Sequence, residues 1–225
     1  IEAQGAGNRD AGEKTDPAQL ERIVRAVEGL AIEADDVREI RVDDAVLLKA
    51  SQVEGAVRKF ERFGAGSRFC ALVKDELHDR LNRRFAQMAK DEELQEEVLG
   101  FDVDEQVQWF GETVSPENED ACADLARRYV EQRYASAHDR IDDLSWLRFD
   151  RIGMRLLGQP ALSATEWLYL RLCITGAGDK AARYVMVDEV QDYTVAQLMV
   201  LARHFSRAHF LLLGDEHQAI FEGTA

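Results

Sequence analysis

No stretch of this chain comes near the roughly 18 consecutive apolar residues that a membrane-spanning helix requires, so none is expected. A basic-then-apolar leader is missing as well, and the chain starts at Ile1 with no Met. The expectation is a soluble, cytoplasmic protein that is a product of a longer one. Cysteine is scarce. Cys70, Cys122 and Cys173 stand far apart, with no C-x-x-C and no His at zinc-ligand spacing, so they read as small hydrophobes for a core and not as metal or redox groups. No repeat of fixed period appears, and three prolines punctuate the whole length. Positive charge is the other shortage, with 28 Lys and Arg against 43 Asp and Glu and a formal net charge of -15. Almost all of that imbalance falls in residues 1–150, at net -14, whereas residues 151–225 are at net -1. Gripping phosphates by counterion release needs the opposite sign. The first two thirds are therefore a poor candidate for a nucleic-acid track. They read either as a well-solvated helical surface or as an acidic contact face for a basic partner.

What the chain does have is helical periodicity. Residues 1–15 are small, polar and Gly-rich and read as a disordered tail. Asp16-Pro17 gives an N-cap and a proline at the first helical position, followed by Leu20, Ile23, Val24, Val27 and Leu30 on one stripe. Glu39–Val42 reads as a short strand. From about Asp44 to Gly158 the pattern is helical nearly throughout. Ser51 and Glu54 read as a capping box. Gly64 and Gly66 break that helix, and a longer one carries Phe69, Leu72, Val73, Leu77, Leu81, Phe85 and Met88 into the acidic stretch Asp91–Glu97. Ser115-Pro116 is expected to start another, with Cys122, Leu125, Tyr129 and Val130 facing inward, and Ile141, Leu144 and Leu147 form the next stripe. Ser163 and Glu166 cap one more helix, from Thr165 to about Cys173.

After Gly176-Ala177-Gly178 the texture changes. Tyr184–Val187 is a β-favouring run ending in Asp188-Glu189. Thr194 and Gln197 form a capping box ahead of Val195, Leu198, Met199, Ala202 and Phe205, taken as the buried face of a helix. His209–Leu213 is a second apolar run, ending in Gly214-Asp215. Strand, helix, strand at this length predicts a parallel βαβ unit. Both acidic clusters then lie at the carboxyl ends of neighbouring strands, where open α/β sheets bind ligands. A carboxylate there can hold Mg²⁺, and its neighbour can orient or deprotonate an attacking water. Phosphoryl transfer needs little beyond such positioning and charge stabilisation.

Asp188-Glu189-Val190-Gln191-Asp192 with Gln197 in the next helix, then Gly214-Asp215-x-x-Gln218, resembles motifs II and III of superfamily-one helicases of the UvrD/Rep type. The resemblance implies a mainly α fold with a small α/β part: an acidic helical insertion domain at 16–158, joined to part of a RecA-like P-loop NTPase domain at 159–225. It implies ATP and Mg²⁺ as cofactors. Asp188 would hold the magnesium, Glu189 would be the catalytic base, and Gln218 would sense the γ-phosphate and couple it to the nucleic-acid site. Gln191, Asp192 and Asp215 would complete the nucleotide site. Single-stranded DNA is the partner so implied. Leu162–Leu172, Tyr184–Tyr193 and the wording of Leu211–Ile220 are most similar to the HelD branch, which implies RNA polymerase as a further partner.

Two departures bear on activity. Phe221 stands where the family usually has tyrosine, and Glu222-Gly223-Thr224 occupy the place of a base-stacking tryptophan, which weighs against processive unwinding. The phosphate-binding pattern G-x-x-x-x-G-K-[ST] has no match. The nearest string, Gly7 to Thr15, puts Glu13 between Gly12 and Lys14 and follows no apolar strand. The chain is thus expected to begin downstream of the ATP loop and to be inactive alone. Two other readings stand beside this one: a DNA-repair helicase of the UvrD/Rep type, and an acidic helical interaction module.

Overall fold

The computed structural model describes residues 15–116 and 118–215. In chain order the elements are α1 (Pro17–Glu28), β1 (Ile40–Val42), β2 (Ala45–Leu48), α2 (Ala50–Phe60), α3 (Ser67–Met88), α4 (Glu92–Leu99), α5 (Val103–Phe110), α6 (Glu119–Arg133), α7 (Ser136–Asp142), α8 (Phe149–Leu157), α9 (Ala164–Thr175), β3 (Tyr184–Val187), α10 (Val195–His204) and β4 (His209–Leu212). Two compact units result. Among the described residues, one comprises 15–36, Phe60–Ala71 and 148–215, the other Val37–Lys59 and 72–147. The first holds the parallel strands and is called the strand unit below; the second is called the helical unit.

In the strand unit, α9 is central and packs against α1, α8 and α10. Tyr169, Leu170, Leu172, Cys173 and Ile174 are all buried, as expected of a helix packed on several sides, while Leu168 is 42% exposed. Its start is fixed by a capping box: Ser163 Oγ accepts from Glu166 N at 3.1 Å, and the buried Glu166 carboxylate accepts from Ser163 N at 2.8 Å. Asp16 caps α1 with Pro17 at its first position, and Leu20, Ile23 and Val27 are buried, as the sequence predicts. Another buried carboxylate, Asp36, accepts from Glu33 N at 2.9 Å and from Arg155 of α8, so its charge is matched where water cannot reach it.

The helical unit opens with a hairpin. Ile40 and Val42 point inward and Arg41 outward, and β1 pairs antiparallel with β2 across Asp43-Asp44, where Asp43 takes φ +48°. Its core includes Val53, Val57, Val73, Leu77, Leu81, Phe85, Ile141 and the fully buried Trp146, whose Nε1–H donates to Ile141 O at 3.3 Å. The aromatic ring of Tyr129 on α6 meets Phe101 and Trp109 edge-on, at 5.2 and 4.9 Å between centroids.

Several boundaries differ from the sequence reading, most of them because a local polar contact outcompetes the expected one. The run after Val42 is not yet helical: β2 intervenes, since four apolar residues after a two-residue turn can close a hairpin. At α2, Ser51 lies inside the helix; Gln52 Oε1 accepts from Lys49 N at 2.8 Å, so the cap sits two residues earlier than expected. The acidic stretch is a helix of its own, capped by Asp91. Then comes α5, which no periodicity had marked, opened by an Asp102–Glu105 capping box. Asn118, not Ser115-Pro116, caps α6. Cys70 and Cys173 are buried as expected, and Cys122 is half-buried.

Candidate functional site

The two apolar runs form adjacent parallel strands, as predicted. Tyr184 pairs with His209, Val185 with Phe210, Met186 with Leu211 and Val187 with Leu212. Pairing continues past the strand ends, where Leu213 N donates to Val187 O and Val190 N to Leu213 O, both at 2.9 Å. Asp188-Glu189 and Gly214-Asp215 are therefore carried to the same end of the same sheet.

One side chain ties them together. Gln191, 5% exposed, lies in a single 3-10 turn (Val190–Asp192). Its Oε1 accepts from Asp215 N at 3.1 Å, and its Nε2 donates to Glu189 Oε2. An amide suits this place because one neighbour is a donor and the other an acceptor, and only a group with both functions satisfies them. Gly214 stands close beside it: a Cβ there would lie 2.3 Å from Gln191 Oε1 and 2.8 Å from Val190 Cγ1, so the neighbours would have to shift. The spacing of motifs cannot show that contact, although a Gly-Asp after a strand is a signal for close backbone approach.

Glu189 departs from ordinary backbone geometry, at φ 50° and ψ 47°. A non-glycine residue in the left-handed region costs about 1–2 kcal/mol, and such residues cluster at functional sites. The twist is stabilised from both sides, by Val190 N on Leu213 O and by Glu189 N on Asp188 Oδ1 at 2.9 Å. Asp188, Glu189, Asp192 and Asp215 are all exposed, and the Asp192 side chain makes no hydrogen bond among the described residues. Thr194 and Gln197 form the expected capping box at the start of α10. The buried face of that helix is Ala196 and Val200, however, while Val195 is 40% exposed and Ala202 is exposed. The correction has a simple cause: α10 packs on α9 and α1 through its small residues, and apolar residues on its other side, like Tyr184, Met186 and Leu211 of the sheet, are left facing outward. Gln218, with Phe221 and the residues after it, lies outside the described residues.

The oxygen donors fit magnesium by type. Asp188 Oδ2 and Glu189 Oε1 have no protein partner among the described residues, and hard carboxylate oxygens are what Mg²⁺ takes. Among the described residues no group of three or more His, Cys, Asp or Glu could hold a metal ion, so no cage of protein ligands is present.

Acidic residues at the carboxyl ends of adjacent parallel strands stand where open α/β sheets bind ligands. The family model of the UvrD/REP helicase N-terminal domain matches residues 49–222, and the chain belongs to that family. The match takes in the helical residues from Lys49 onward as well as the strand-end clusters. Membership makes the chain part of a superfamily-one helicase, an ATP-hydrolysing enzyme in full-length form that binds nucleic acid. Comparison with curated proteins finds no match. Among the described residues, no helix is long and apolar enough to cross a membrane.

Proposed function

We propose that the chain is a piece of a cytoplasmic HelD-type motor, in which ATP hydrolysis is coupled to remodelling of nucleic acid or RNA polymerase complexes. The observation that carries the reading is the buried Gln191 amide, which links Glu189 to the backbone of Asp215 and so makes one unit of two separate acidic clusters. In this reading residues 159–225 belong to a RecA-like motor. The helical segment expected at 16–158 is its insertion, with Val37–Lys59 and Leu72–Leu147 as the compact body.

Bound Mg-ATP supplies the phosphoanhydride bond and the charge that the site must manage. Asp188, whose Oδ1 accepts from Glu189 N, would hold the magnesium. Glu189 keeps Oε1 available to take a proton from water while Gln191 holds the other oxygen, so the base is oriented before substrate arrives. Asp215 lies at the head of the second cluster, held by the same amide. Asp192 belongs to the same turn, and Gln218 would sense the γ-phosphate and couple it to the nucleic-acid site. The HelD assignment over a UvrD/Rep repair helicase is favoured by the missing tryptophan after motif III and by the acidic surplus of residues 1–150.

The test of the site is Glu189→Gln in the longer protein that carries the phosphate loop. Turnover should fall by roughly 10²–10⁴-fold, the usual worth of a general base, with nucleotide affinity nearly unchanged; unchanged turnover removes Glu189 from the mechanism. The partner is tested at low salt, where charge contacts are strongest. Immobilised RNA polymerase should retain the chain, and release it when Asp91, Glu92, Glu93, Glu96 and Glu97 are all changed to Ser. Serine keeps the cap that Asp91 gives α4, so retention by the changed chain would sink the acidic face and not merely report a lost helix.

A further inference from the structure

Three cations gather at one carboxylate in the helical unit of this acidic chain, and a fourth lines the same groove. Glu76 of α3 accepts from Lys59, in the last turn of α2, and from Arg80 Nε at 2.7 Å, while Arg83 Nη2 stands 3.9 Å from the same group. Only 10% of the Glu76 side chain is exposed, and Lys59 and then Arg80 hold its carboxyl below the usual carboxylate range. Glu76 is thus the anchor that fixes Arg80. Arg83 is different: its side chain is 71% exposed, and its Nε donates to Asp79 O. Arg84 is half-buried and has no hydrogen-bond or ion-pair partner among the described residues.

Gln52, Glu76, Arg80, Arg83, Arg84 and Gln87 line an open groove of about 310 Å³. Asp79 flanks it beside Lys59 and Arg83. Two carboxylates against four cations leave the groove positive within a chain whose net charge is -15. Like charges this close are held together at a cost unless an anion joins them. Arg80, Arg83, Arg84 and Gln87 follow i, i+3, i+4, i+7 spacing and so share one face of α3. At 1.5 Å per residue that row is about 10 Å long. Guanidinium groups match phosphate oxygens in fork geometry, and the amides of Gln52 and Gln87 add neutral donors. Gln52 uses its Oε1 on Lys49 N, which leaves its NH₂ without a partner among the described residues.

We infer that this groove is a contact for the sugar–phosphate backbone of single-stranded nucleic acid, separate from the strand-end site and not dependent on its reading. An open groove with cations and no aromatic ring among its lining residues suits backbone contact, which positions a strand without reading bases. The charge of residues 1–150 argues against such a track only as a sum. Placement decides, because screening confines each charge to a range of about 10 Å.

Fluorescence anisotropy of the 225-residue chain with a labelled oligothymidylate of about 12 nucleotides, within the usual length of a single-strand site, tests the assignment. Binding is expected at low salt and should weaken as salt rises. Arg83→Gln with Arg84→Gln should weaken it roughly tenfold and reduce the log–log salt slope by about 1.4, or 0.7 per lost phosphate contact. Arg83→Lys with Arg84→Lys should keep most of the slope, and Glu96→Gln with Glu97→Gln should not weaken binding. If the double Gln variant folds poorly, Arg84→Gln alone serves, since that side chain gives up no polar contact within the described residues. Absence of binding at low salt would overturn the assignment. So would binding indifferent to the Gln changes, or polyglutamate bound as tightly with the same arginine dependence, which would make the groove a site for acidic protein.

Discussion

Replacing Gly214 with Ala asks whether the joint between the two acidic clusters is as close as its distances say. The new Cβ would lie 2.3 Å from Gln191 Oε1, 2.8 Å from Val190 Cγ1 and 3.2 Å from Val190 N, and separations under 3.0 Å are essentially never seen for real Cβ atoms. Either Gln191 swings away or the backbone shifts. Moving Gln191 strands Asp215 N and breaks the bond to Glu189, so a buried amide loses both partners, at about 1–3 kcal/mol. Residual crowding against Val190 adds about 1–3 kcal/mol, the usual cost of overpacking. A loss of roughly 2–6 kcal/mol from the strand unit is expected. Urea denaturation would show a lower midpoint, and hydrogen exchange would show faster loss of protection at Asp215 N and at Val190 N, which donates to Leu213 O at 2.9 Å. Gly29→Ala is the matched control, because a Cβ there meets nothing within 4 Å. A wild-type midpoint with unchanged exchange at both amides would refute the close-approach argument.

A second expectation concerns pH. His78 Nδ1 and His138 Nδ1 are 2.7 Å apart, so one proton lies between them, and Asp142 Oδ1 takes the other side of His78 at 3.2 Å. Lys74, Asp139 and Glu131 also act on the pair, and Phe85 covers His138 edge-on. Burial first, and then the charge of His78, hold His138 below the ordinary imidazole range. Below about pH 6.5 the unfolded chain therefore binds the more protons, so stability of the helical unit is full above that value and falls with pH toward the lowered folded one. Urea unfolding followed by Trp fluorescence between about pH 7.5 and pH 5 should show this decline, and His138→Gln should flatten it; an equal slope in the variant would assign the effect elsewhere. The third concerns nucleotide. Residues 1–225 contain no G-x-x-x-x-G-K-[ST], so the backbone donors and Lys that hold β- and γ-phosphates are lacking. Calorimetry should find no tight binding of Mg-ATP, and a dissociation constant on the order of micromolar, about -8 kcal/mol, would contradict that.

Sequence alone determined the parts whose causes are local. Asp16-Pro17, Ser163 with Glu166, and Thr194 with Gln197 start helices where they stand, because each cap bonds its own first turn. Parallel pairing of Tyr184–Val187 with His209–Leu212 also followed from the chain, since two short apolar runs separated by one helix can lie side by side only that way. Competing local bonds were harder to rank, and so the α2 cap, the hairpin at Ala45–Leu48 and the start of α6 came out differently. What only tertiary structure decided involves residues far apart, or orientation about a helix axis. The outward turn of Val195 on α10 depends on what α9 offers Ala196 and Val200. Gln191 meets Asp215 across 24 residues, and Gly214 stands close beside that meeting. Net charge, a property of the sequence, gave residues 1–150 as acidic in sum; folding brought Lys59, Arg80 and Arg83 to the Glu76 carboxylate, because a carboxylate drawn largely out of water needs cations beside it.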